Sequence, residues 1–168
     1  GLSQRIELPK LASGINQLTI ATWINVNHMP ASEKFVSIYH NNGWTVGDVH
    51  LGYAGQEGVL DLGINGNAPS MSIPTFRVKD LQKRWVHLAT TYNGDNKKQV
   101  RFYLDGQPGE VFKLKEANPV NLGPARIGAW DVEPRWFDGQ IDELYIYERV
   151  LTDEEIRGLF DAGSKMPH

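Results

Sequence analysis

The chain has 168 residues, 40% of them apolar and spread along its whole length, a formal net charge of −3 and no cysteine. That composition excludes an intrinsically disordered chain, a disulfide scaffold, thiol chemistry and cysteine metal sites. Interspersed charges exclude a polybasic nucleic-acid face, and no apolar run approaches the ~20 residues of a membrane helix.

The chain opens at Gly1 with no leader, which reads as a mature secreted form or a module of a larger protein. From there the pattern is one of short segments with a period of two. Leu18 to Val26 places Leu18, Ile20, Thr22, Ile24 and Val26 on one face and Ala21 and Trp23 on the other. Further runs follow at 34–40, 49–53, 59–65, 85–92, 99–104, 111–114 and 125–129. The dipeptides Asn42-Gly43, Asn65-Gly66, Asn93-Gly94, Asp105-Gly106 and Asp138-Gly139 mark tight corners that favour positive φ. The last run, 136–150, is long. Its simple alternation predicts Ile141, Glu143, Tyr145 and Tyr147 on one face, with Asp142, Leu144, Ile146 and Glu148 on the other. About ten strands at short spacing predict an all-β sandwich.

One helix is specified after the long strand. Thr152 is its N-cap and Glu155 completes a capping box, Asp153 and Glu154 suit the positive end of the dipole, and Ile156, Leu159 and Phe160 make an apolar stripe. Gly163 reads as its stop. No linker or repeat divides the chain, so residues 1–168 are read as one unit.

Three stretches together carry a family likeness: L-T-I-A-T-W-I-N at 18–25; R-W-V-H-L-A-T-T-Y-N-G at 84–94 followed by V-R-F-Y-L-D-G at 100–106; and R-I-G at 126–128 with F-D-G-Q-I-D-E-L-Y-I-Y-E-R-V-L-T-D-E-E-I at 137–156. In order and spacing they resemble the laminin G-like domains of the concanavalin A-like lectin/glucanase group. The segment N-G-W-T-V-G-D-V-H-L at 42–51 resembles a subset found in bacterial surface and polysaccharide-degrading proteins. The resemblance implies two curved antiparallel sheets packed face to face as a jelly roll, with one short C-terminal helix. It implies an extracellular, cell-surface or periplasmic setting. It also implies a structural calcium held by Asp142 with a backbone carbonyl of Ser3 or Gln4.

Retaining β-glucanases of that group carry E-x-D-x-x-E, whose two end carboxylates stand about 5–5.5 Å apart. Here the matching stretch is Q-I-D-E-L-Y at 140–145, so Gln140 and Tyr145 hold the two end positions and neither is a carboxylate. Asp142 and Glu143 are adjacent and, on a regular strand, point to opposite faces. The five histidines show no H-x-H or H-x-x-x-H spacing, so no transition-metal signature is present.

Two loops instead mix tryptophan with hydrogen-bonding side chains, as sugar sites do. One is 40–50, with Asn42, Trp44, Asp48 and His50. The other is 130–137, with Trp130, Asp131, Arg135 and Trp136. Tryptophan in a polar loop is a candidate platform for stacking, whereas Trp23 and Trp85, in strands, read as core. The alternative for Trp130 and Trp136 is that they pin their own loop to the rim. The leading expectation is a non-catalytic module of a larger protein that binds polysaccharide or glycan. The others are a protein-binding module of the same fold and a divergent glycoside hydrolase.

Overall fold

A computed structural model describes residues 4–28, 35–54, 59–65, 71–77, 82–130 and 135–165. The strands are β1 (Ile6–Leu8), β2 (Ala12–Ile15), β3 (Gln17–Val26), β4 (Val36–Asn41), β5 (Val49–Ala54), β6 (Val59–Ile64) and β7 (Met71–Arg77), then β8 (Trp85–Asn93), β9 (Gln99–Leu104), β10 (Gln107–Lys113), β11 (Val120–Leu122), β12 (Ala125–Ile127) and β13 (Gly139–Tyr147). The helix α1 (Asp153–Gly163) closes the order. The runs expected from alternation are all present, joined by β1, β2, β7 and β11. Three of those four are only three or four residues long, too short for a period to register.

The strands form a six-stranded sheet in the order β1-β12-β4-β5-β6-β7 and a five-stranded sheet in the order β10-β9-β8-β3-β13, with β11 and β2 as a small third pair. All of the named pairings are antiparallel. The two inner faces meet in one core. Leu18, Ile20, Ile24, Val86, Leu88 and Phe102 come from one sheet, and Ile38, Tyr39, Leu51, Tyr53 and Leu60 from the other. Burial of this kind is the main favourable contribution to the fold, at about 25 cal/mol per Å² of apolar surface removed from water.

Three sequence expectations are corrected. First, β13 does not alternate throughout. Asp142 pairs with Trp23 but Tyr145 pairs with Ala21, so three residues of β13 span two of β3. Glu143 absorbs the extra residue at φ +49. This β-bulge turns Ile141, Leu144 and Ile146 all to the core, and leaves Tyr145 and Tyr147 outside. Second, among the Asn-Gly and Asp-Gly corners within the described residues, only Asp105-Gly106 takes left-handed φ at both positions, +49 and +71. Gly43 and Gly94 are there for space, since a Cβ would meet the Asp48 carboxylate and the Tyr92 ring respectively. Third, the helix ends at Gly163 as read, but not through a left-handed glycine cap. Gly163 is its last residue, right-handed Ser164 caps it, and the missing Cβ lets the helix lie directly on the Trp23 indole.

The capping box of α1 forms as the sequence implies, with Thr152 and Glu155 each accepting from the other's backbone N–H. Its buried side lies on the outer face of the five-stranded sheet. There Ile156 joins Ala21, Ala89, Tyr103 and Leu151 in a second, smaller cluster. Trp23, only 4% exposed, therefore belongs to this outer layer and not to the inter-sheet core. Its ring stacks on Phe160 at 5.6 Å and 22°, and His87 lies 5.4 Å from it. Trp85 is half-buried.

Candidate functional site

Among the described residues no helix lies over the second outer face, that of the six-stranded sheet. Its floor is a cross-strand pair: β4 and β5 set His40 directly opposite His50. Adjacent strands bring such side chains close enough to touch. The two rings lie 3.9 Å apart between centroids, and their Nδ1 atoms 3.1 Å apart. His40 Nδ1 is also 2.6 Å from the Asn41 carbonyl. A carbonyl only accepts, so the hydrogen sits on His40 Nδ1, and His50 Nδ1 is left to accept. The hydrogen of His50 is then on Nε2.

Both imidazoles are neutral at ordinary pH. Burial pushes His40 down to about 3, with the neighbouring His50 and the positive Arg135 adding to the effect. Burial likewise pushes His50 to about 4, against the opposing pull of the Asp48 carboxylate and of a side-chain hydrogen bond with Asn65. Desolvation disfavours the charged form, and here it prevails over the one nearby anion.

Tryptophans cover this pair. Trp44 stacks on His50 at 4.5 Å and 24°, and on His40 at 6.1 Å and 24°. Trp130 approaches His40 to 4.9 Å and Trp44 to 5.9 Å. The Arg135 guanidinium lies 3.9 Å from the centre of the Trp130 ring, a cation–π contact. The two loops singled out in the sequence therefore meet in one aromatic patch, because β12 places the chain that leads to Trp130 beside β4. Trp44 keeps 67% of its surface exposed although it is stacked.

The loop that carries Trp44 is fixed by Asp48. One oxygen of Asp48 accepts from Asn41 Nδ2 at 3.0 Å, and the other from Thr45 N at 2.7 Å and Thr45 Oγ1 at 3.1 Å. Asn41 Nδ2 also donates to the Asn121 carbonyl, and Asn121 Nδ2 to the Val46 carbonyl. Asp48 is thus 6% exposed and occupied within the protein, where it holds the loop instead of facing solvent. Asn42 is half-buried, and its backbone N–H is tied to the Pro124 carbonyl. Trp136 is half-buried and has no part in the ring contacts among the described residues. Asp131 lies outside the described residues.

His40 was not among the sequence candidates, yet it is central. Its signal was present, since H-N-N-G-W-T-V-G-D-V-H has a histidine at each end of one hairpin. Spacing rules look along the chain, and this pair is formed across it.

The calcium expectation rests on Asp142 and Gln4, since Ser3 lies outside the described residues. Asp142 and Gln4 do line one groove of about 1430 Å³ at the edge between β1 and β13. Asp142 is exposed, and its Oδ1 accepts from the backbone N–H of Glu143 at 2.8 Å. Calcium takes six to eight oxygens. Among the described residues no group of three or more histidines or carboxylates converges on a metal position. Asp142 thus brings one carboxylate to this groove, and the rest of a calcium shell would have to come from carbonyl and amide oxygens. The bulge also changes the relation of Asp142 to Glu143. Both charges bear on Tyr145, Glu143 most strongly, and raise its phenol above the usual value.

Comparison with known proteins agrees with the architecture. A 103-residue stretch is 27% identical to serum amyloid P-component of the pig, Sus scrofa, and covers 56% of this chain and 45% of that protein. The chain thus spans under half the length of the curated relative it matches. Domain 4 of AbnA, an extracellular arabinanase of Geobacillus stearothermophilus solved with arabinotriose, superposes with a TM-score of 0.61 at 20% identity, over 92% of this chain and 71% of that one. A botulinum neurotoxin type C structure, described as depending on two ganglioside molecules for cell entry, superposes with a TM-score of 0.65 at 17% identity, over 89% and 36%. These structural likenesses establish the fold alone. The Laminin_G_3 family model matches residues 1–157, nearly the whole length, and the chain belongs to this family of the concanavalin A-like lectin/glucanases superfamily.

Proposed function

We propose that this chain is a non-catalytic carbohydrate-binding module of a larger extracellular protein. It holds a polysaccharide or glycan on the Trp44–Trp130–Arg135 patch. The observation that carries the reading is Trp44: a large indole, 67% exposed, braced from behind by His50 at 4.5 Å on a loop whose backbone is tied down. An exposed aromatic normally pays an ordering cost when it binds, and bracing lowers that cost. A pyranose or furanose ring offers C–H groups to the open face. Arg135 and the edge of Trp130 offer N–H groups to its hydroxyls. The arabinotriose bound by the AbnA domain supports a sugar as the ligand class.

The expected retention is weak for one module, and repeated units of a polymer raise it through avidity. Affinity electrophoresis in gels of arabinan, xylan or β-glucan tests the reading. Retardation by one polymer that Trp44→Ala abolishes supports it, and free migration in every gel refutes it.

Val46, 64% exposed on the same loop as Trp44, favours a second reading, a protein ligand taken on an apolar tip. Pull-down that survives saturating polysaccharide but is lost in Val46→Asp distinguishes it. A structural calcium at Asp142 needs about five further oxygens beyond its own carboxylate. Calorimetric calcium binding that Asp142→Ala removes would establish it.

A further inference from the structure

The loop that carries Trp44 is also held from the small third sheet. Asn121 lies on β11 between Val120 and Leu122, both buried in the inter-sheet core. A strand alternates its side chains, so Asn121 faces the other way. All four of its polar groups are engaged. Its backbone N–H donates to the Gly47 carbonyl at 2.8 Å, and its side-chain Nδ2 to the Val46 carbonyl at 3.2 Å. Two consecutive carbonyls of the loop are thus gripped by one residue, 75 positions along the chain from Val46. Its Oδ1 accepts from Gly14 N of β2 at 3.3 Å, and its carbonyl accepts from Asn41 Nδ2 at 3.1 Å. The approach of β11 to the loop is close. Gly47 has φ +91, and a Cβ there would stand 2.6 Å from the Pro119 carbonyl oxygen and 2.9 Å from Asn121 Nδ2. Asp48 ties Thr45, and Asn121 ties Val46 and Gly47, so the backbone is fixed at each of the three residues that follow Trp44.

Resting on the carbohydrate reading above, we propose that Asn121 is a positioning residue of the sugar site. Its side-chain amide sets the affinity of the Trp44 platform by holding the loop, and not by touching sugar. The reason is entropic. An indole that is 67% exposed is packed on one side only, so its place depends on its own backbone and on the His50 ring beneath it. A sugar that stacks on a wandering ring must first arrest it, and that ordering cost is subtracted from the binding free energy. Asn121 removes part of that cost by ordering the loop when the chain folds. Gly14, itself at φ +71, anchors the Oδ1 end, so the brace runs from β2 through β11 to the loop. Nothing in the sequence marked the residue: V-N-L, a strand of three, carries neither an aromatic nor a charge.

Wild-type protein, Trp44→Ala, Asn121→Ala and Asn121→Asp are compared by affinity electrophoresis in arabinan, xylan and β-glucan, with thermal melting of each. The mobility of the Trp44 ring is read without sugar, from NMR relaxation of its indole Nε1–H signal. The expected result is that Asn121→Ala loosens the Trp44 ring and weakens retention about fivefold, the scale of ordering one large side chain, while it melts close to wild type. Asn121→Asp keeps an acceptor for Gly14 but has no donor for Val46, so it is expected to behave as Asn121→Ala does. If either Asn121 variant keeps the ring as rigid as in wild type, or binds as tightly, while Trp44→Ala does not bind, the positioning role is overturned and the carbohydrate reading stands. If Asn121→Ala melts far lower but its folded fraction binds as wild type does, Asn121 is structural and the role is again overturned. If no polymer retains the wild type, the carbohydrate reading falls and the role falls with it.

Discussion

The two outer faces of this sandwich carry the same chemistry under different covers. On the five-stranded sheet Trp23 lies 5.4 Å from the buried His87, and α1 seals both. On the six-stranded sheet Trp44 lies 4.5 Å from the buried His50, and the far side of the indole meets solvent. Trp23 is 4% exposed and Trp44 67%. An indole over an imidazole is thus neither structural nor functional by itself. What packs on its other side decides. A helix there makes it a stabilising layer, and open water there makes it a surface that a ligand can complete.

The sharpest way to break this comparison is to truncate both indoles. Trp23→Ala is expected to cost about 3–5 kcal/mol in urea unfolding, since it opens a cavity between sheet and helix. Trp44→Ala is expected to move stability by no more than about 0.5 kcal/mol while it removes polysaccharide retention. Equal losses from the two variants would mean that Trp44 is a core residue in all but exposure.

The faces should agree, by contrast, in their response to acid. Burial holds His87 at about 4, as it holds His50 at about 4 and His40 at about 3, against an ordinary 6.5. A histidine whose folded pKa is depressed binds fewer protons when folded. Its contribution is complete above pH 6.5 and is lost as pH falls from there toward about 4. Unfolding free energy should therefore drop between pH 7 and pH 5, by on the order of 2 kcal/mol for His87 alone. His87→Gln should flatten that part of the profile. A profile that does not change between those pH values in the wild type would mean that the three rings are more hydrated than their packing indicates.

The smallest expected change bears on the helical cover alone. Thr152→Ala removes the N-cap acceptor of α1 and should cost about 1 kcal/mol, read by chemical denaturation. Polysaccharide retention on the opposite face should be unchanged. A parallel loss of binding would show that the two faces are coupled through the core.

Much of the fold was legible in the chain. Alternation in Leu18–Val26, Trp85–Tyr92 and Gln99–Leu104 marked the strands that line the core, because a strand with one buried face must repeat every two residues. Thr152 and Glu155 announced the helix because capping is a contact between near neighbours. Long strands and local caps leave local traces. The bulge at Glu143 left none: Q-I-D-E-L-Y alternates plausibly in either register, and only pairing with β3 shows where the extra residue falls.

The candidate site divides the same way. Composition by itself marked Trp44, His50, Trp130 and Arg135 as residues fit to meet a sugar. That Trp44 and Trp130, far apart in sequence, share one patch was decided by β12 lying beside β4, a neighbour relation that no window of sequence contains. The same ladders set His40 against His50, brought the Asn65 side chain to His50 and committed Asp48 to its own loop. Hydrophobic period and capping are written in neighbouring residues. Which side chains face one another, and which polar atoms are left without a partner, follows from strand order and register across the whole chain.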